Sequence, residues 1–162
     1  MAESPTPGFI EFARWATEVE NDDLTFAGIS YFATDHVLFP DLELALPGAP
    51  QNPEFDLVAT FFSREKQAIV RVLGQNVRAF RVLDEGGLVD LWVASKERPR
   101  PGRTTFRVRG HGWQQESELE WVMGAPPDGY SYMVATRWQC LEMICYDPPY
   151  ITIEAASVRR PS

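Results

Sequence analysis

Two histidines are the residues of this chain best suited to acid–base chemistry. His36 lies in ATDHVLFPD, close to Asp35 and Asp41, and His111 lies in RGHGW, between two predicted strands. A serine or cysteine nucleophile needs such a base, which an acid in turn orients. Neither histidine stands beside a nucleophile motif, and the sequence contains no GxSxG. A hydrolase that uses His36 or His111 is therefore the least favoured of three hypotheses, and we assign no catalytic residue.

Metal and cofactor sites are not predicted. A structural zinc site usually has four Cys or His ligands, whereas Cys140 and Cys145 are the only cysteines and lack the CxxC spacing. Asp35, Asp41 and Glu43 could ligate a hard cation, but their spacing is not that of a calcium loop. The glycines of DEGGL are typical of a turn and do not form the GxxxxGK phosphate motif.

The two cysteines are expected to be reduced and buried. In a strand, a separation of five residues corresponds to about 16 Å and places the two side chains on opposite faces. A disulfide needs Cα atoms within about 7 Å. The sequence also has no apolar run near the ~20 residues of a membrane span, and MAESPTPGF lacks the features of a secretion signal. We therefore expect a cytoplasmic protein without a membrane partner.

The charge is distributed unevenly. Residues 1–60 contain eleven Asp or Glu and one base, Arg14, whereas the whole chain has a formal charge of −8. An acidic surface attracts a basic protein partner and disfavours nucleic acid. The basic segment 96–109 is a local exception, either a solvated strand pair with its loop or a site for phosphate or an acidic partner. The residues expected to bind a partner are Asp22, Asp23, Asp35, Asp41, Glu43 and Trp113.

The N-terminal segment fits two structures. Thr6 can cap a helix that begins at Pro7, and apolar residues then follow at helical spacing. A strand with Phe9, Ala13 and Trp15 on one face is the alternative for residues 8–19. Both periods fit, and we prefer the helix.

Alternating apolar residues predict strands in most of the remaining chain. One strand contains a bulge at Gly28, another covers 55–62, and a long one covers 130–146, with even-numbered residues such as Trp138 towards the core. The runs 77–83 and 88–95 flank Asp-Glu-Gly-Gly and predict a β-hairpin. Together these elements predict a mainly β fold: a single domain over 1–162, with a flexible tail at 1–7, built as an antiparallel β-sandwich or barrel-like sheet with at most one or two short helices.

Two segments support a resemblance to a known class. DLTFAGISYF near the start and YITIEAASVRR near the end resemble the strands that begin and end β-rich immunity proteins of bacterial polymorphic toxin systems. The resemblance covers about twenty residues and carries over no functional residue. It implies a small, non-catalytic cytoplasmic protein that neutralises a toxin by binding it.

Our first hypothesis is accordingly a non-enzymatic protein-binding domain with an acidic surface. The alternative is a small-molecule-binding barrel or sandwich, because exposed or pocket-lining aromatic residues can hold a ligand. The aromatic residues expected to line such a pocket are Trp92, Trp121, Tyr132 and Trp138.

Overall fold

A computed structural model of the chain describes residues 9–31, 55–111 and 128–156. Within these ranges the chain forms nine strands, one 3₁₀ turn and one α-helix. The strands are β1 Glu11–Arg14, β2 Leu24–Tyr31, β3 Leu57–Ser63, β4 Ala68–Gly74, β5 Val77–Asp84, β6 Thr105–Arg109, β7 Ser131–Ala135, β8 Gln139–Cys145 and β9 Tyr150–Ala155, and the 3₁₀ turn Glu85–Leu88 leads into the helix α1 Val89–Glu97.

The strands form two antiparallel sheets. Sheet A has the order β1-β6-β7-β8-β5, and sheet B has the order β2-β3-β4-β9. The sheets pack face to face around one apolar cluster, to which β3 and β4 contribute every second residue. Phe61, Val70, Leu141 and Met143 are fully buried there. The prediction of a mainly β, sandwich-like fold is confirmed.

A second core lies on the outer face of sheet A. Leu88 and Leu91 pack there against Phe106 and Met133, so α1 covers part of the sheet. Neighbouring residues of β7 therefore serve different cores: Tyr132 and Val134 face sheet B, whereas Met133 faces α1. Sheet A is thus the middle layer of the described structure.

The predicted hairpin of 77–83 with 88–95 is wrong. β5 pairs with β8, and the second run forms the end of the 3₁₀ turn and most of α1. Leu88, Leu91 and Trp92 have the i, i+3, i+4 spacing of a helical face, and this face packs on sheet A. The Asp-Glu-Gly-Gly stretch is a helix entry because the Asp84 side chain accepts a hydrogen bond from Gly86 N.

Two further sequence interpretations are corrected. The preferred N-terminal helix is absent from the described residues, since Glu11–Arg14 pairs with β6 and Phe12 packs edge-on against Phe106 at 5.7 Å between ring centroids. The run 130–146 is a β7–β8 hairpin rather than one strand. Its turn exposes Trp138 and reverses the alternation, so odd-numbered residues of β8 face sheet B.

The expectations for the bulge at Gly28, for two further strands and for the cysteines are confirmed. The register of β2 against β3 shifts between Phe26 and Gly28, as a bulge requires. The predicted strands at 55–62 and at the end of the chain correspond to β3 and β9. Cys140 and Cys145 are free and buried. In the described part of the chain, no helix has the length and hydropathy needed to cross a membrane.

Candidate functional site

The entry to α1 is fixed by local hydrogen bonds. The Asp84 carboxylate accepts from Gly86 N at 2.9 Å, and the Trp92 indole Nε1 donates to the Glu85 carbonyl at 2.8 Å. Glu85 N donates to the carbonyl of Trp138 at 2.9 Å, which ties the 3₁₀ turn to the β7–β8 turn. Leu91 is buried on the side of α1 that faces sheet A. These contacts place the start of α1 beside Trp138.

The outward side of this region combines apolar and acidic side chains. Trp138 is 67% exposed, Val89 57% and Val93 51%. Val89 and Val93 lie four residues apart and therefore on one side of the helix. Asp84, Glu85 and Asp90 are exposed among them. We call the group Asp84, Glu85, Val89, Asp90, Val93 and Trp138 the α1 surface.

A cleft of about 240 Å³ adjoins the α1 surface. Arg100 lies half-buried in it, with its guanidinium carbon 4.9 Å from the Trp92 ring centroid and 5.1 Å from that of Phe106. Burial lowers the pKa of Arg100, and the charge of Arg103 lowers it further. The residues around the cleft are Asp22, Asp23, Leu24, Glu85, Trp92, Arg100, Arg103, Thr104, Ala135, Thr136 and Arg137.

The loop between α1 and β6 places these arginines. Gly102 allows the chain to pass close to its neighbours, because a Cβ there would lie 2.3 Å from the Thr105 carbonyl oxygen and 2.7 Å from Glu20 Cγ. Thr104 N donates to the Glu20 carbonyl at 2.8 Å, and Arg103 N donates to Asn21 Oδ1 at 3.2 Å. The loop is thereby attached to the segment that precedes β2.

Of the residues predicted to bind a partner, Asp22 and Asp23 line the cleft, and both are engaged in ion pairs. Lys66 Nζ lies 2.8 Å from Asp22 Oδ2, and Arg137 Nη2 lies 3.2 Å from Asp23 Oδ2. Their side chains are only 12% and 15% exposed. The other predicted binding residues, Asp35, Asp41, Glu43 and Trp113, lie outside the described residues, as does His36.

Glu142 forms a separate buried polar cluster on the outer face of sheet A. Its carboxylate accepts hydrogen bonds from His111 Nε2 and Ser131 Oγ on one oxygen and from Arg81 Nε at 2.8 Å on the other. Burial alone would raise the pKa of Glu142, but His111, Ser131 and Arg81 together hold it below its usual value. His111 Nδ1 is buried and has no hydrogen-bond partner among the described residues.

This cluster differs from a catalytic triad. In a triad the imidazole lies between the hydroxyl and the acid, whereas the Ser131 hydroxyl donates to the carboxylate itself. Burial also raises the pKa of Cys140 to about 11 and of Cys145 to about 12, so both thiols stay protonated near neutrality. Within the described ranges, no three His, Cys, Asp or Glu residues are grouped so that they could hold a metal ion.

The two described tryptophans and the tyrosine of the expected small-molecule pocket lie in different environments. Tyr132 packs edge-on against Trp15 between the sheets, at 5.2 Å between ring centroids. Trp92 lines the cleft, and Trp138 is exposed on the α1 surface. Trp121 lies outside the described residues.

The sequence indicates the basic segment 96–109, but it does not indicate that Arg100 and Arg103 line the same cleft. The signal was present in RPRPGR, where prolines and a glycine shape a loop rich in arginine.

Comparison of the chain with protein-family models, curated proteins and solved structures gives no match.

Proposed function

We propose that this chain is a non-enzymatic protein-binding domain that binds a basic protein through the α1 surface. The observation that carries the proposal is the exposure of Trp138 at the entry to α1, a helix that also exposes Val89 and Val93. Tryptophan is enriched among the residues that dominate the free energy of protein–protein association, and an interface typically surrounds its apolar centre with polar groups. Asp84, Glu85 and Asp90 are the exposed acids of the α1 surface that would supply such polar groups.

The charge of the chain supports a basic partner. The described residues contain fifteen Asp or Glu and thirteen Lys or Arg, so six of the eight net negative charges lie on the other residues. A negative field accelerates encounter with a positively charged protein, and salt screens it. With the resemblance to immunity proteins, this supports a cytoplasmic inhibitor that neutralises a basic toxin by binding it.

The test is a pull-down from lysate of the native host at low and high salt, with Trp138→Ala beside the original chain. Tyr146→Ala is the matched control, because Tyr146 is 55% exposed and follows β8 at the end opposite to Trp138. We expect the original chain and Y146A to recover a basic protein that W138A does not recover. The amount recovered should fall at high salt.

A second pair of variants tests the acidic part of the surface. Asp90→Asn should weaken binding of the recovered partner at low salt by about two- to fivefold, and Asp147→Asn, an exposed acid beyond β8, should not. Titration of each variant with the purified partner gives the dissociation constants. Retention by W138A, or recovery of no salt-sensitive partner by the original chain, would refute the proposal.

A further inference from the structure

Arg100 and Arg103 are cations without a carboxylate partner in the described structure. Neither has an ion pair within 4 Å among residues 9–31, 55–111 and 128–156. Arg100 instead stacks on Trp92 and Phe106, which holds the guanidinium half-buried at the wall of the cleft. Desolvating a cation is unfavourable unless an anion or hydrogen bonds compensate.

The acids of the cleft compensate only part of this positive charge. Asp22 is paired with Lys66, and Asp23 is paired with Arg137. Glu85 is the remaining acid of the cleft and forms no ion pair within 4 Å with a described residue. Arg100 and Arg103 therefore face a cleft in which Glu85 is the one carboxylate without an ion pair to a described residue.

We infer that this cleft is a binding site for a compact oxyanion, a phosphate or carboxylate group that Arg100 and Arg103 hold together. Guanidinium groups match both anions through paired N–H donors. Thr104 and Thr136 line the same cleft, but their hydroxyl groups already donate to the carbonyls of Asp22 and Gln139, so the two guanidinium groups are the donors available to the anion. The volume of about 240 Å³ lies below the ~300–1,000 Å³ of pockets for drug-sized ligands, which favours a small anionic group.

The experiment is a titration of the ¹⁵N-labelled full chain with inorganic phosphate, and separately with acetate, while chloride keeps the ionic strength constant. The Trp92 indole N–H reports on the cleft because Arg100 stacks on that ring. We expect its resonance to shift and saturate, with a dissociation constant of about 1 mM for the preferred anion. Tighter binding of phosphate indicates a phosphate-bearing ligand, and tighter binding of acetate indicates a carboxylate.

Arg100→Gln should weaken this binding about tenfold or more, because a charged hydrogen-bond donor is lost. Arg103→Gln provides an independent test, since its side chain is exposed and its removal leaves the packing around Trp92 in place. Arg78→Gln is the control, an exposed arginine of β5 at the end away from the 3₁₀ turn.

Shifts that stay linear for both anions, or equal affinities in R100Q, R103Q and R78Q, would overturn the inference. The W138A variant should bind the anion unchanged, so the cleft and the α1 surface are tested separately.

Discussion

Glu142 is a buried acid whose charge the fold must compensate. It is 1% exposed and accepts hydrogen bonds from His111, Ser131 and Arg81. Glu142→Gln keeps the shape but removes the negative charge that compensates Arg81. We expect a loss of about 3 kcal/mol in the free energy of unfolding at pH 7, the lower end of the cost of breaking a buried pair because the Arg81 side chain is 23% exposed. Urea denaturation measures this loss.

The same residue should give the stability a dependence on acid pH. The folded state holds the pKa of Glu142 below its unfolded value, so its contribution is present above about pH 4.5 and is lost as the pH falls through the folded pKa. The difference between the original chain and E142Q should shrink over that interval. Glu154→Gln is the control, since its pair with Arg71 is exposed and should contribute less than about 1 kcal/mol. An equal loss in E154Q, or a pH-independent difference, would contradict the assignment.

Sequence alone gave part of this residue-level arrangement. The sequence marks His111 as one of two possible bases without indicating its partner, and the structure gives it a carboxylate partner. Glu142 was not identified, although an acid inside the apolar run CLEMIC is a detectable anomaly. Its partners are Arg81 on β5, Ser131 on β7 and His111, which follows β6. The order of strands in sheet A brings these three residues together.

At the scale of elements, α1 shows why local signals conflict. Two apolar runs around a Gly-Gly turn fit a hairpin and a helix entry equally well at short range. The outer face of sheet A decides between them, because Leu88 and Leu91 can be buried there only if the second run is helical. The N-terminal segment follows the same logic: both periods fit, and pairing with β6 selects the strand.

The packing of α1 can be tested with two substitutions on the same helix. Leu91 is 2% exposed, so Leu91→Ala should lower the free energy of unfolding by about 3 kcal/mol through lost burial and a cavity. Val93 is 51% exposed, and Val93→Ala should change it by less than about 0.5 kcal/mol because alanine is the better helix former. Similar losses for both variants in urea denaturation would argue against α1 as the cover of sheet A.

For the whole molecule, the fold class was predictable because turn-punctuated alternation is a local property of many strands. The division into two sheets and the second core were not, since they depend on which strands pair. Sheet A serves both cores: β8 sends Cys140 towards α1 and Cys145 towards sheet B. Loss of either outer layer would expose apolar side chains of the same strands, so we expect a single cooperative unit.

The two thiols test this cooperativity, one from each core. In Cys145→Ala the remaining Cys140 reports on the α1 layer, and in Cys140→Ala the remaining Cys145 reports on the space between the sheets. Both should react slowly with a disulfide reagent at pH 8, since burial holds their pKa values at about 11 and about 12. As urea rises, each thiol should become reactive at the midpoint of the circular-dichroism transition of its own variant. Labelling of Cys140 well below that midpoint, with Cys145 still protected, would show instead that α1 opens as a separate unit while the two sheets remain folded.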